Sequence, residues 1–87
     1  MPVSNTDVVE RIARVIAGRI VSINAEGDDA SAGERVDQEW GAYRDDAISI
    51  LKTLREPDAA MAAAGDVGVW HSMIEAALDG AESAVRP

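Results

Sequence analysis

His71 is the only histidine and the chain has no cysteine, so a nucleophilic relay has one base to be built around and no thiol to activate. It follows Trp70 on the flank of an apolar stripe, where an imidazole with a satisfied ring nitrogen serves as a boundary residue rather than a catalytic base. Asn24, Glu26, Asp28 and Asp29 supply the oxygen ligands that calcium prefers. A calcium-binding helix–loop–helix, however, needs Gly at its sixth position and Glu at its twelfth, and counting from Asn24 those places hold Asp29 and Arg35. The register fails, and a solvated loop is expected. Asp45 and Asp46 are adjacent, so on a helix they point roughly 100° apart and cannot form the facing carboxylate pair of a hydrolase. Gly65 and Gly68 neither follow a strand nor precede a lysine, which leaves no phosphate loop. No catalytic set, no cofactor site and no metal site is predicted.

Two further residues ask for an explanation. On a helical projection Arg19 falls among Val8, Ile12, Val15 and Ile23, inside an apolar face, where it needs an acidic partner, a route out to solvent, or a second molecule. Trp40 and Arg44 are one helical turn apart, the spacing of a structural cation–π pair.

The elements that position these residues are all helical, because no alternating β-branched run is long enough to propose a sheet. The first helix opens at Ser4, Asn5 or Thr6, with Ser4 and Asp7 resembling a capping box. Val8, Val9, Ile12, Val15, Ile16, Ile20 and Ile23 then recur at helical spacing, with Asp7–Arg11 and Glu10–Arg14 as i,i+4 pairs on the wet side. Ala13 and Ala17 widen the apolar face beyond the ~100° needed to cover one neighbour. Two neighbours are implied: the rest of the chain and a second copy. Val9, Ile16, Arg19, Ile20 and Ile23 are the interface candidates, and a dimer is the favoured homo-oligomer.

The segment 24–39 is acidic and polar, and the second helix starts either at Ser31, with Glu34 completing a capping box, or later at Asp37. Trp40, Tyr43, Ala47, Ile50, Leu51 and Leu54 form its inner stripe. Pro57 ends it near Arg55 and suits the first position of a new helix, with Asp58 in the first turn. Ala59 to Ala64 make a short helix in which Met61 fills a gap, stopped by Gly65 at the C′ position. Asp66 caps the last helix, with Val67, Trp70, Met73, Ile74, Ala77, Leu78 and Ala81 inward, Gly80 ending or fraying it, and a mobile tail over 82–87. The predicted architecture is one all-α domain over 1–87, a small bundle of three principal helices and one short connecting helix.

The bulk properties narrow the function. With no Phe, two Trp and one Tyr in 87 residues, the core must be thin and rich in aliphatics and alanine, a situation that a partner subunit relieves. A formal charge of −8 opposes direct nucleic-acid binding, which depends on neutralising phosphates. That charge is uneven: Met1 to Ile23 holds Asp7 and Glu10 against three arginines, whereas Asn24 to Asp46 holds eight carboxylates against Arg35 and Arg44. The most apolar run, Val15 to Ile23, is far short of the ~20 residues of a bilayer span, and the polar, acidic start MPVSNTDVVE is unlike a signal peptide. A cytoplasmic protein without a membrane partner is expected.

LREPDAAMAAAG followed by VWHSMIEAAL resembles the C-terminal signature of a family of small uncharacterised helical proteins of alphaproteobacteria and their phages or prophages. Pro57, Ala60, Met61, Gly65, Trp70, Met73, Ile74 and Leu78 match it, DVVERIARVIA and WGAYRDDAISILKTL match its earlier helices, and GRIVSINAEGDDASAGERVD departs from it. The resemblance implies a phage-related context and no activity. The expected function is a non-enzymatic interaction module that self-associates and binds another protein. The alternatives are an acidic regulator of nucleic-acid processes, by DNA mimicry or a helix-turn-helix-like pair, and a carboxylate- or metal-dependent enzyme.

Overall fold

The computed structural model of the protein describes residues 3–24 and 32–85. Over these the chain is all-α: α1 (Val8–Asn24), α2 (Ala32–Glu39), a 3₁₀ turn (Trp40–Tyr43), α3 (Arg44–Thr53), α4 (Ala59–Ala64) and α5 (Val67–Val85), with no strand among the described residues. The helices gather into two units, Met1–Ala47 and Ile48–Pro87, whose boundary falls inside α3.

In the first unit α1 begins one residue after Asp7, whose Oδ1 accepts the Glu10 N–H at 2.7 Å. Asp7, rather than Ser4, Asn5 or Thr6, is therefore the cap. Ser4 Oγ instead accepts the Thr6 N–H at 3.1 Å in a local turn upstream. Val9, Ala13, Ala17 and Val21, four residues apart, form the buried stripe of α1. α1 packs against α2 and the 3₁₀ turn. Gly18 lies at that contact: a methyl added there would sit 3.9 Å from Val36 Cγ2, an ordinary van der Waals distance.

The second helical stretch takes the earlier of its two expected starts, at Ala32, with Glu34 in the first turn and Asp37 left free for other work. What the spacing does not predict is the 3₁₀ turn between α2 and α3. The poor helix former Gly41 lies inside it, and the Arg44 N–H donates to the Gly41 carbonyl, the tighter i→i−3 pattern.

In the second unit Leu51, Ile74, Leu78 and Ala81 are buried. Beyond Thr53 the chain tightens: the Leu54 N–H is shared between the carbonyls of Ile50 (3.2 Å) and Leu51 (3.0 Å), and the Arg55 N–H reaches Lys52 O (3.2 Å). Asp58 is the cap of α4, with extended backbone and Oδ1 accepting the Met61 N–H at 2.9 Å. Pro57 thus precedes the cap instead of opening the helix, because a carboxylate one residue later meets the orphan N–H groups better. Gly65 ends α4 with φ −162° and ψ −166°, extended backbone rather than the left-handed C′ geometry expected of it. Asp66 caps α5 as predicted, its Oδ1 accepting the Val69 N–H at 3.0 Å. Gly80 does not end α5, which continues to Val85 and so includes the start of the expected 82–87 tail. One glycine costs a helix only about 1 kcal/mol, and buried Ala81 anchors the turn that follows.

Gly18→Ala and Gly80→Ala should each stabilise the protein, by about 0.5–1 kcal/mol, since the first added methyl finds only ordinary contact and the second open space. Leu51→Ala, in a site 1% exposed, should cost about 2–5 kcal/mol. Urea midpoints at unchanged slope measure all three.

Candidate functional site

α1 carries two apolar faces, and its own chain covers one. Away from the buried stripe, Val15 is 66% exposed and Ile23 64%, with Arg19 exposed and Val8 and Ile12 half-buried beside them; Ile20, 38% exposed, lies on the stripe's own side and half-buried Ile16 at its edge. Of the five predicted interface residues, Arg19, Ile20 and Ile23 are therefore exposed and Ile16 is partly so. Val9 is not on this face: at 1% exposure it heads the inward stripe, and the assignment is corrected. Val15 is the most exposed apolar residue of α1. The signal was available, because Ala13 and Ala17 mark the side on which another backbone approaches closely, and Val9 lines up with them. No carboxylate among the described residues pairs with Arg19.

A polar clamp holds the other side of α1. Arg14 Nε donates to Glu10 Oε2 at 2.8 Å and its NH1 to Asp37 Oδ1 at 2.6 Å, while the guanidinium lies 5.4 Å from the centre of the Trp40 ring. One cation thus ties α1 to α2 and to the 3₁₀ turn. The cation found over Trp40 is Arg14; sequence spacing pointed to Arg44, but the 3₁₀ turn takes i and i+4 out of helical register. Asp37 chiefly, then Glu10, raises the Arg14 pKa above the guanidinium's ordinary value. A raised cation contributes fully at every pH below its unfolded value and is lost only as pH climbs through the folded one, so this clamp keeps its positive member throughout the neutral and moderately alkaline range.

The second unit contains a groove of about 340 Å³ between α4 and the start of α5, walled by Pro57, Met61, Val67, Val69, Trp70 and Met73. Val69 is 56% and Met73 64% exposed. Val67 and Met73, predicted to point inward, point out, and Met61 walls an open groove instead of filling a core gap. The reason is the shortness of α4: six residues, all exposed, cannot cover both flanks of α5, and the core claims only Ile74, Leu78 and Ala81. Trp70 fixes the corner, its Nε1–H donating to the Leu54 carbonyl at 2.6 Å.

His71 lies on the far flank of the same helix, exposed, with Nε2 3.7 Å from Glu75 Oε1; that oxygen also receives Arg55 NH1 at 3.2 Å. The imidazole thus stands beside the Arg55–Glu75 ion pair. Asp45 and Asp46 are exposed in the first turn of α3, complementing its dipole. The calcium-like register runs through 25–31, outside the described residues. Among the described residues no polar side chain is buried and no cluster of His, Asp and Glu is placed to hold a metal. None of their helices is long and apolar enough to cross a membrane.

No protein-family model matches the chain, nor does any curated protein or solved structure.

Arg14→Met should lower the thermal midpoint, and in concentrated salt the gap from wild type should narrow, because charge pairing at a half-exposed site is screened. At the corner, Gly65→Ala should change stability by less than about 0.5 kcal/mol, since its backbone is extended and an added Cβ meets nothing within 4 Å. Asp66→Ala should cost about 1 kcal/mol through the lost cap. Chemical denaturation of the pair checks both.

Proposed function

We propose that the protein is a non-enzymatic interaction module that self-associates through the outer face of α1, acting as a cytoplasmic accessory protein of the phage-related kind that the sequence resemblance implies. The observation behind this reading is the exposure of Val15 and Ile23 on one side of a helix whose other side is buried. Apolar residues scattered singly over a surface need no explanation, but a row along one helix face marks a contact surface. Charge points to the same face. The segment Met1–Ile23 has three arginines against two carboxylates, a side-chain balance of +1 within a chain of −8, so two copies meeting there avoid most of their mutual repulsion. Arg19, at the edge of the row, can extend its guanidinium to solvent while its methylenes pack. The non-enzymatic part is supported by the roles of Asp7, Asp58 and Asp66 as helix caps and of Glu10, Arg14, Asp37, Arg55 and Glu75 in ion pairs.

Light scattering on eluting protein should give twice the 9.2 kDa chain mass at millimolar concentration and a lower apparent mass on dilution. Val15→Glu with Ile23→Glu should yield a folded monomer with unchanged helical circular dichroism. A wild-type mass of one chain at every concentration would sink the proposal.

A further inference from the structure

The groove between α4 and α5 has a different electrostatic setting from α1. From Glu56 to Val85 the sequence holds six carboxylates (Glu56, Asp58, Asp66, Glu75, Asp79, Glu82) and not one lysine or arginine. The only charged residue lining the groove is Asp66, which has one oxygen committed to capping α5. The walls are aliphatic and thioether: Met61 and Met73 can adjust to the shape of an occupant, and Trp70 is held by its bond to Leu54.

We propose that this groove is a docking site for an amphipathic helix of another protein, one that presents an aliphatic stripe flanked by lysines or arginines. A groove of this volume accepts side chains spaced i and i+3 or i+4 from a helix laid along it. Charge decides the kind of occupant. A second copy brings a further −8 to a stretch, Glu56 to Val85, that holds six carboxylates, whereas a basic helix meets the Asp66 carboxylate in the lining and no lysine or arginine there; the nearest placed cation, Arg55, is paired with Glu75. None of the groove's lining residues belongs to α1, and the proposal does not depend on self-association.

The test uses the full chain and a synthetic helix of about 18 residues, five turns, with leucines on one face and lysines elsewhere. Amide chemical shifts of the wild-type protein should move at Met61, Val69, Trp70 and Met73, and raising the salt should weaken binding without abolishing it. Met73→Glu separates the groove from mere attraction between opposite charges. It adds negative charge at an exposed position, so a peptide held by charge alone binds more tightly, while a stripe seated in the groove binds roughly tenfold or more weakly. Three outcomes would overturn the proposal: shifts confined to other residues, equal or tighter binding by Met73→Glu, or equal binding of a peptide with glutamates in place of the lysines.

Discussion

The size of the buried side chains constrains everything else in this protein. Of the nine buried residues among those described four are alanines, and the largest that are almost fully enclosed are Leu51, Val9 and Val21. Methyl-lined helix faces let backbones approach closely, as α1 does to α2 near Gly18, but such contacts are too narrow to enclose the bulkier side chains on either flank. No phenylalanine is available to bridge the remaining space. Val15 and Ile23 on α1 stay outside the alanine-lined contact of the first unit, and Val69 and Met73 on α5 stay outside because α4 is too short to cover them.

Polar interactions then hold the elements that this small core cannot. In the first unit one guanidinium engages two carboxylates and an aromatic face. In the second, the aspartate caps of α4 and α5 and the indole bond to Leu54 set the corner. These bonds lie at the surface, where each contributes modestly, so they orient helices more than they stabilise the whole. The result is two helical units with different outer faces: Met1 to Ile23, which contains nearly all of α1, has a side-chain balance of +1, whereas Glu56 to Val85 holds six carboxylates and no lysine or arginine. That difference in charge is the ground for proposing a like copy on the first and a basic partner on the second.

Much of this was legible in the sequence where local chemistry decides. The all-α class, the helical stripe of α1, the break after Arg55, the Asp66 cap and the inward set Ile74, Leu78 and Ala81 follow from periodicity and capping alone. The misplacements arise where neighbours decide. Val9 and Ile16 look equivalent on a projection, and only the position of α2 and the 3₁₀ turn makes one inner and the other half-buried. Val67 and Met73 look inward until α4 proves too short to cover them. Glycine usually punctuates helices, yet the chain turns at Gly65 through extended backbone and passes through Gly80 as helix. The groove was legible only as a list of small and apolar residues, because a concavity depends on the distance between two helices that no spacing rule supplies.

The account stands on α1 having an apolar side that its own chain leaves open. Methyl relaxation enhancement by a soluble paramagnetic agent, measured on isoleucine- and valine-labelled protein, reads that directly. At micromolar dilution the methyls of Val15 and Ile23 should relax strongly while those of Val9 and Val21 remain protected, and at millimolar concentration Val15 and Ile23 should become protected too. Equal protection of all four at dilution would show the face already covered within a single molecule and would contradict the account.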